Sequence, residues 1–233
     1  MRQFFNLLAA GLLSLLPMTA TGQDRPVVVE LFTSQGCSSC PPADAYLHKL
    51  AKRDDVIALA MHVDYWDYIG WKDIFASPEL TERQRTYARV GQRRMVYTPQ
   101  MIINGQDHVV GNRPRDVEDL IKQHSKADKL INLKAKRSGD KVMIQAVAEE
   151  ALSGPVTIQL LRYKPQETVQ IKRGENAGRS LSYANIVTDI TELRNWNGRK
   201  ALDISAKMLG NERGVILVQG SGQGAVMAAA WVQ

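Results

Sequence analysis

Residues 27–44 read Val-Val-Val-Glu-Leu-Phe-Thr-Ser-Gln-Gly-Cys-Ser-Ser-Cys-Pro-Pro-Ala-Asp. From Val27 to Thr33 the run is apolar except for Glu30, the pattern of a strand covered on both faces. Cys37 and Cys40 follow at once, and Pro41 and Pro42 open a helix expected over Ala43–Arg53, where Ala45, Leu47, Leu50 and Ala51 fall at helical spacing. A Cys-x-x-Cys at a helix start has a physical use. The positive helix end and its unpaired N–H groups stabilise a thiolate at Cys37, and those of Ser39 and Cys40 remain available to it. Cys40 is near enough to close a disulfide, which gives a two-electron couple that exchanges through a mixed disulfide.

Outward from that motif, the first part alternates strands and helices. A second buried strand is expected over Val56–Val63, followed by a polar-aromatic loop from Asp64 to Phe75. Pro78–Val90 reads as a helix with Ser77 as its N-cap. Met101–Ile103 and His108–Val110 flank Asn104-Gly105, a hairpin signal, and a last helix is expected from Pro114 to Lys129. The order is β-α-β-α-β-β-α. Two parallel strands joined by a right-handed crossover end on one edge, so Cys37, the segment from His62 to Trp71 and Pro99 should converge there.

Beyond residue 130 the pattern changes to short β-rich segments separated by Gly, Asn and Pro turns, as in an antiparallel sandwich-like module. That part contains no Cys and no His. The expected organisation is a signal peptide over 1–22, an α/β domain over 23–130 and a C-terminal antiparallel β-rich module over 131–233.

Composition narrows the classes. The chain has 233 residues, 44% hydrophobic and 23% charged, with 17 Gly, 9 Pro and two Cys. Extensive disorder, collagen and a disulfide-dense scaffold are excluded. The formal charge of +6 attracts acidic surfaces only weakly. Its densest basic stretch, Arg83 to Arg94, reads as a solvated helix face without interleaved aromatic platforms, so no nucleic-acid partner is expected. Arg2, the mostly apolar stretch Phe4–Leu16 and Ala20-Thr21-Gly22 fit an export signal cleaved after Gly22. The apolar stretch is too short to span a bilayer, so the expectation is a periplasmic or secreted protein without a stable membrane anchor, in a compartment where disulfides persist.

The motif order resembles the thioredoxin fold: a strand leading into Cys-x-x-Cys on a helix, a second parallel strand, then Thr98-Pro99 before a strand and hairpin. More closely, residues 29–44, His-Val-Asp-Tyr-Trp-Asp (62–67), Tyr-Thr-Pro-Gln (97–100) and Arg-Gly-Glu-Asn-Ala-Gly-Arg (173–179) are similar to an exported bacterial thioredoxin-like family of unknown function. The resemblance implies a cis Thr98–Pro99 bond against the disulfide. It also implies an acid, here Glu30, serving the resolving cysteine; the acid-to-Cys37 spacing is one residue longer than in thioredoxins, and a structural Glu30 held by hydrogen bonds stands beside that reading.

Cys37 is thus expected to attack, Cys40 to resolve, and Pro99 to align substrate together with Thr98. Tyr65, Trp66 and Trp71 are candidates for an apolar lip, or for simple loop packing. No metal or organic cofactor is expected; the redox group is the Cys37–Cys40 disulfide. The expected partners are protein thiols and disulfides, small thiols, or a redox partner protein. The competing expectations are a structural or vestigial disulfide in a binding protein, or half of a metal site with His62 and His108.

Overall fold

The computed structural model describes residues 25–128 and 130–233; the expected export signal lies outside the described residues. Among the described residues, eleven strands and three α-helices are built in the order β1 (Val27–Thr33), α1 (Pro41–Leu50), β2 (Val56–His62), α2 (Pro78–Val90), β3 (Gln100–Ile103), β4 (Asp107–Val110), α3 (Pro114–His124), β5 (Ile131–Ser138), β6 (Lys141–Ala148), β7 (Val156–Gln170), β8 (Ser180–Trp196), β9 (Leu202–Lys207), β10 (Arg213–Gly220) and β11 (Val226–Trp231), with one 3-10 turn at Asp67–Ile69 before α2. The fold is mixed α/β, with an eight-stranded sheet of order β11-β10-β7-β8-β2-β1-β3-β4 and a three-stranded sheet of order β5-β6-β9.

The local expectations for the first part hold in element order, although α3 ends at His124 and not near Lys129. β1 and β2 are buried at every residue and pair in parallel, Val27 against Val56 through Thr33 against His62. Alternate residues serve opposite faces. Val27, Val29 and Leu31 pack with Ala43, Leu47 and Leu50 of α1 and with Val117 and Ile121 of α3. Val28 and Phe32 face Leu80 and Tyr87 of α2. Each such large apolar side chain contributes about 1.5–3 kcal/mol when fully buried. Ser77 caps α2 by accepting from the Leu80 N–H at 3.3 Å.

The second part differs from a separate sandwich-like module. Its strands are antiparallel among themselves, as expected, but β7, β8, β10 and β11 extend the sheet begun by β1 to β4. The join is β8 beside β2, where Ala60 opposes Ile186 in parallel and Asn185 Nδ2 donates to the Ala58 carbonyl at 2.8 Å. The small sheet covers one face of this extension: Ile131, Val142 and Ile144 pack on Ile158, Leu160, Ile216 and Val218. Strands from both sides of residue 130 therefore share the eight-stranded sheet, while β5, β6 and β9 form the separate small one. Turn residues mark where strands end, but they do not specify which distant strand a segment joins.

β7 and β8 run as one long hairpin, paired from Val156 against Trp196 to Gln170 against Ser180. The short β-rich segments expected here are replaced by a strand continuous from Val156 to Gln170. Its length carries the tip, residues 171–179, to the carboxyl ends of β1 and β2.

Candidate functional site

Cys37 and Cys40 form a disulfide at the junction of β1 and α1, with Cα atoms 5.4 Å apart. The connecting turn is fixed by its own backbone: Cys37 N–H donates to Ser34 O at 3.1 Å and Cys40 N–H to Cys37 O at 3.3 Å. The expectation that the Cys40 N–H stays available to the Cys37 sulfur is thereby corrected, because the short turn pairs it with a carbonyl. Cys40 is the N-cap of α1. Ser38 and Ser39 face solvent, yet both cysteines are 0% exposed. Cys37 does not lie open at the strand-to-helix junction.

The hairpin tip covers it. Asn176 is buried and its Nδ2 donates to Gln35 O and to Cys37 O, each at 3.0 Å. Arg179 Nη1 in turn donates to Asn176 Oδ1 at 2.7 Å. The Ser38 N–H donates to Glu175 Oε2 at 3.3 Å. Gly174 makes the turn at φ 76°, and a Cβ there would sit 3.2 Å from the Trp71 Cβ. The Arg173–Arg179 segment is thus a strap over the cysteine turn, held by side chains that accept and donate in complementary pairs.

On another side stands the Thr98–Pro99 bond, which is cis. Ser39 Oγ lies 3.5 Å from Thr98 O and 3.4 Å from Cys37 Sγ. Pro99 packs close to α1: a Cβ at Gly111 would approach Leu31, the Pro99 Cβ and the Ala43 Cβ at 3.1–3.3 Å. The loop after β2 completes the surround. Trp66 Nε1 donates to Thr98 Oγ1 and Trp71 Nε1 to Gln35 Oε1, both at 2.8 Å, and Tyr65 OH donates to Gln84 Oε1 at 3.1 Å. These rings are half-buried and tied at their polar ends; the exposed ring of the loop is Tyr68, at 83%. Cys37, Cys40, Thr98, Pro99, Trp66 and Trp71 are therefore brought together, with Tyr65 beside Trp66 at 6.4 Å between ring centroids.

Glu30 is not among them. It lies on the α2 face of β1, whereas the cysteine helix packs on the other face. There Arg83 Nη2 and Nε donate to its two oxygens at 2.6 and 3.1 Å. Arg83 also donates to Tyr87 OH, Gln219 Oε1 and Gln159 Oε1. Burial works against the Arg83 charge, but Glu30 and its surroundings hold the guanidinium above its ordinary range. Arg83 is 5% exposed, so the expected solvated helix face does not include it.

A second set of buried polar groups lies between α1 and the ends of β1 and β2; the sequence pointed to His62 among them, as a candidate metal ligand, but not to Asp44 or Asp73. Asp44, one helical turn after Cys40, accepts from Thr33 Oγ1 at 2.8 Å through Oδ1. His62 Nδ1 and Asp73 Oδ2 are 2.7 Å apart, both fully buried. Asp73 also accepts from the N–H groups of Gln35 and Phe75. Burial opposes its charge, but His62 and these donors hold the Asp73 carboxyl below the usual carboxylate range. Being ionised, it accepts, so Nδ1 of His62 donates. Tyr183 stacks edgewise on His62 with ring centroids 4.8 Å apart. The signal for Asp44 was its i, i+4 spacing from Cys40 on a helix whose apolar residues face inward. Among the described residues no three His, Cys, Asp or Glu side chains are placed to hold a metal ion.

The sequence model of a family described as "Protein of unknown function (DUF1223)" matches residues 28–219. A crystal structure of an Agrobacterium tumefaciens protein is 34% identical, covers 88% of this chain and 93% of its own, and superposes with a TM-score of 0.76. The structure of HBP35 of Porphyromonas gingivalis is 12% identical over 89% of this chain and 74% of its own, with a TM-score of 0.64, a likeness of fold alone. No curated protein matches. By the extent of the family match and the similarity to the Agrobacterium protein, this chain belongs to the family of unknown function DUF1223.

Proposed function

We propose that the protein is an exported thiol–disulfide oxidoreductase of thioredoxin-like architecture that cycles Cys37 and Cys40 between dithiol and disulfide. The observation that carries this reading is the Cys37–Cys40 disulfide at the junction of a central strand and a helix N-terminus, with Thr98–Pro99 alongside. The β1-α1-β2 unit and the antiparallel β3–β4 pair give the thioredoxin-like order its support. Export rests on residues 1–22 of the sequence.

In the proposed cycle the Cys37 thiolate, favoured by the helix end, attacks a substrate disulfide. Its sulfur forms a bond to one substrate sulfur, and the other leaves as a thiolate. Cys40 then attacks Cys37, the protein disulfide closes, and the second substrate thiolate departs. Two electrons pass from the protein dithiol to the substrate; the reverse sequence oxidises a substrate dithiol. Thr98, Tyr65, Trp66 and Trp71 form the wall against which a substrate chain or small thiol would lie.

The complete burial of both sulfurs favours a second reading, a structural disulfide in a binding protein. Equilibration in glutathione buffers of graded ratio, followed by acid quench and alkylation, separates the two. A reversible two-thiol transition within the range of known thiol–disulfide oxidoreductases, about −120 to −270 mV, supports the oxidoreductase. A pair that stays oxidised until the chain is unfolded contradicts it.

A further inference from the structure

The far end of the β7–β8 hairpin is built in two parts. Its base is apolar: Ile171, Leu181 and Tyr183 are buried together, with Trp71 and Phe75 packed against them. Its tip is polar, and what it grips is the backbone of the cysteine turn. Asn176 Nδ2 donates to Gln35 O and Cys37 O, and Glu175 Oε2 accepts from the Ser38 N–H. Gly174 and Gly178 bracket these two residues at φ 76° and 80°. The Ala177 and Gly178 N–H groups donate to Gly174 O and Ile171 O. Glu175 and Asn176 therefore ride on one tight turn that moves as a unit from an anchored base.

Charge ties this unit to the state of the sulfurs. Glu175 sets a carboxylate on the N–H of the residue after Cys37, at the positive end of α1. Over a disulfide, which carries no charge, that contact is attractive. A thiolate at Cys37 puts a second negative charge on the adjoining residue, whose Cα lies about 3.8 Å from that of Ser38. Two anions then draw on one set of donors, beside sulfurs that are 0% exposed and poorly screened by water. Arg179, the cation of the strap, is engaged on Asn176 Oδ1. Breaking the disulfide also frees the turn whose shape presents Gln35 O and Cys37 O to Asn176.

We propose that the strap is a redox-linked latch, closed over the Cys37–Cys40 disulfide and released by the Cys37 thiolate, so that the open dithiol form takes protein disulfides and the protein works as a reductant. The proposal rests on the oxidoreductase reading and adds direction and regulation to it. Closure over the oxidised form alone stabilises that form, which makes the dithiol the better electron donor. In the step that opens the latch, a dithiol reductant supplies two electrons. Its sulfurs bond to each other and the Cys37–Cys40 bond breaks. One of the two protons it releases goes to Cys40 and the other to solvent, and Cys37 keeps its electron pair as a thiolate. When a substrate disulfide is then reduced, the Cys37–Cys40 bond re-forms. The negative charge and the Cys40 proton pass to the substrate sulfurs, and Glu175 returns to the Ser38 N–H.

The test compares N-ethylmaleimide with a polyethylene-glycol maleimide on the prereduced full chain, with modification of Cys37 read by peptide mass spectrometry. The large-reagent rate divided by the small-reagent rate, and by the same ratio for glutathione, cancels thiolate reactivity and leaves access. Wild type should fall within about twofold of glutathione, as an open site does. Glu175→Gln keeps an acceptor for the Ser38 N–H but no charge, so its strap stays closed over the dithiol. Its ratio should drop about fivefold, the scale of one exposed charge contact, and its couple should shift about fivefold toward the dithiol in glutathione buffers. Adding Asn176→Ala to Glu175→Gln should restore the ratio. A wild-type ratio well below that of glutathione, a Glu175→Gln ratio equal to the wild-type one, or a ratio that stays low in the double variant overturns the latch and leaves the oxidoreductase standing. A disulfide that stays oxidised until the chain unfolds overturns both.

Discussion

Glu30 and Asp44 are buried carboxylates served by opposite faces of β1, and their surroundings differ in kind. Glu30 meets a guanidinium in a two-pronged pair, and that guanidinium is itself braced by Tyr87, Gln159 and Gln219. Asp44 has one hydroxyl on one oxygen and, among the described residues, no partner on the other, within a group that includes several unpartnered polar atoms. A fully answered charge fixes how elements pack; here it pins α2 to the central sheet and to β7 and β10. A half-answered carboxyl, here one helical turn from Cys40, keeps the capacity to change its protonation. Burial of a charge is thus not enough to mark a functional acid, and the state of its partners discriminates.

The largest expected effect lies on the satisfied side. Glu30→Gln leaves Arg83 charged and buried without its counter-ion and should cost about 3–5 kcal/mol in urea unfolding. Thiol exchange by the folded fraction should be unchanged. A stable Glu30→Gln protein with impaired exchange would reverse the comparison.

On the other side the sign is opposite and depends on pH. The folded-state pKa of Asp44 is raised to about 7 from 3.8, so between those values the folded chain binds more protons than the unfolded one. Its contribution to stability is therefore fully present below 3.8 and lost as pH rises through about 7. Asp73 is held low and acts only at more acid pH, in the opposite direction. Urea midpoints of wild type and Asp44→Asn measured from pH 5 to pH 8 should show the wild type declining relative to the variant. The decline should be on the order of 1.4 kcal/mol for each pH step of one below neutrality, levelling off above it. Parallel curves would remove Asp44 as a titrating buried group.

The smallest effect concerns the strap. Asn176→Ala leaves Gln35 O and Cys37 O without their shared donor, at a cost of about 1–3 kcal/mol. The same change should speed reduction of the disulfide by a bulky phosphine more than by dithiothreitol, because access and not chemistry is altered. Equal acceleration of both would mean the strap does not limit entry.

The first part was largely legible from local pattern. Continuous apolar runs gave β1 and β2, Ser77-Pro78 gave the start of α2, and Asn104-Gly105 gave the hairpin of β3 and β4. What escaped depends on pairings across long separations. Glu30 finds Arg83 on another element, Ala60 finds Ile186 beyond the supposed boundary at 130, and Asn176 reaches back to Cys37. No local periodicity encodes such partners. Asp44 was different: its spacing from Cys40 was visible, but a lone Asp in the first turn of a helix also satisfies the helix dipole. Its meaning came only with Thr33, His62 and Tyr183 around it.

Trapping distinguishes the divided roles proposed for Cys37 and Cys40 in disulfide exchange. Cys37→Ser and Cys40→Ser are each expressed in an export-competent host, and non-reducing gels with mass spectrometry read the adducts. Reductant-sensitive mixed disulfides joined through Cys37 are expected from Cys40→Ser, and none from Cys37→Ser. Equal trapping by both, or no adduct from a folded Cys40→Ser protein, would contradict it.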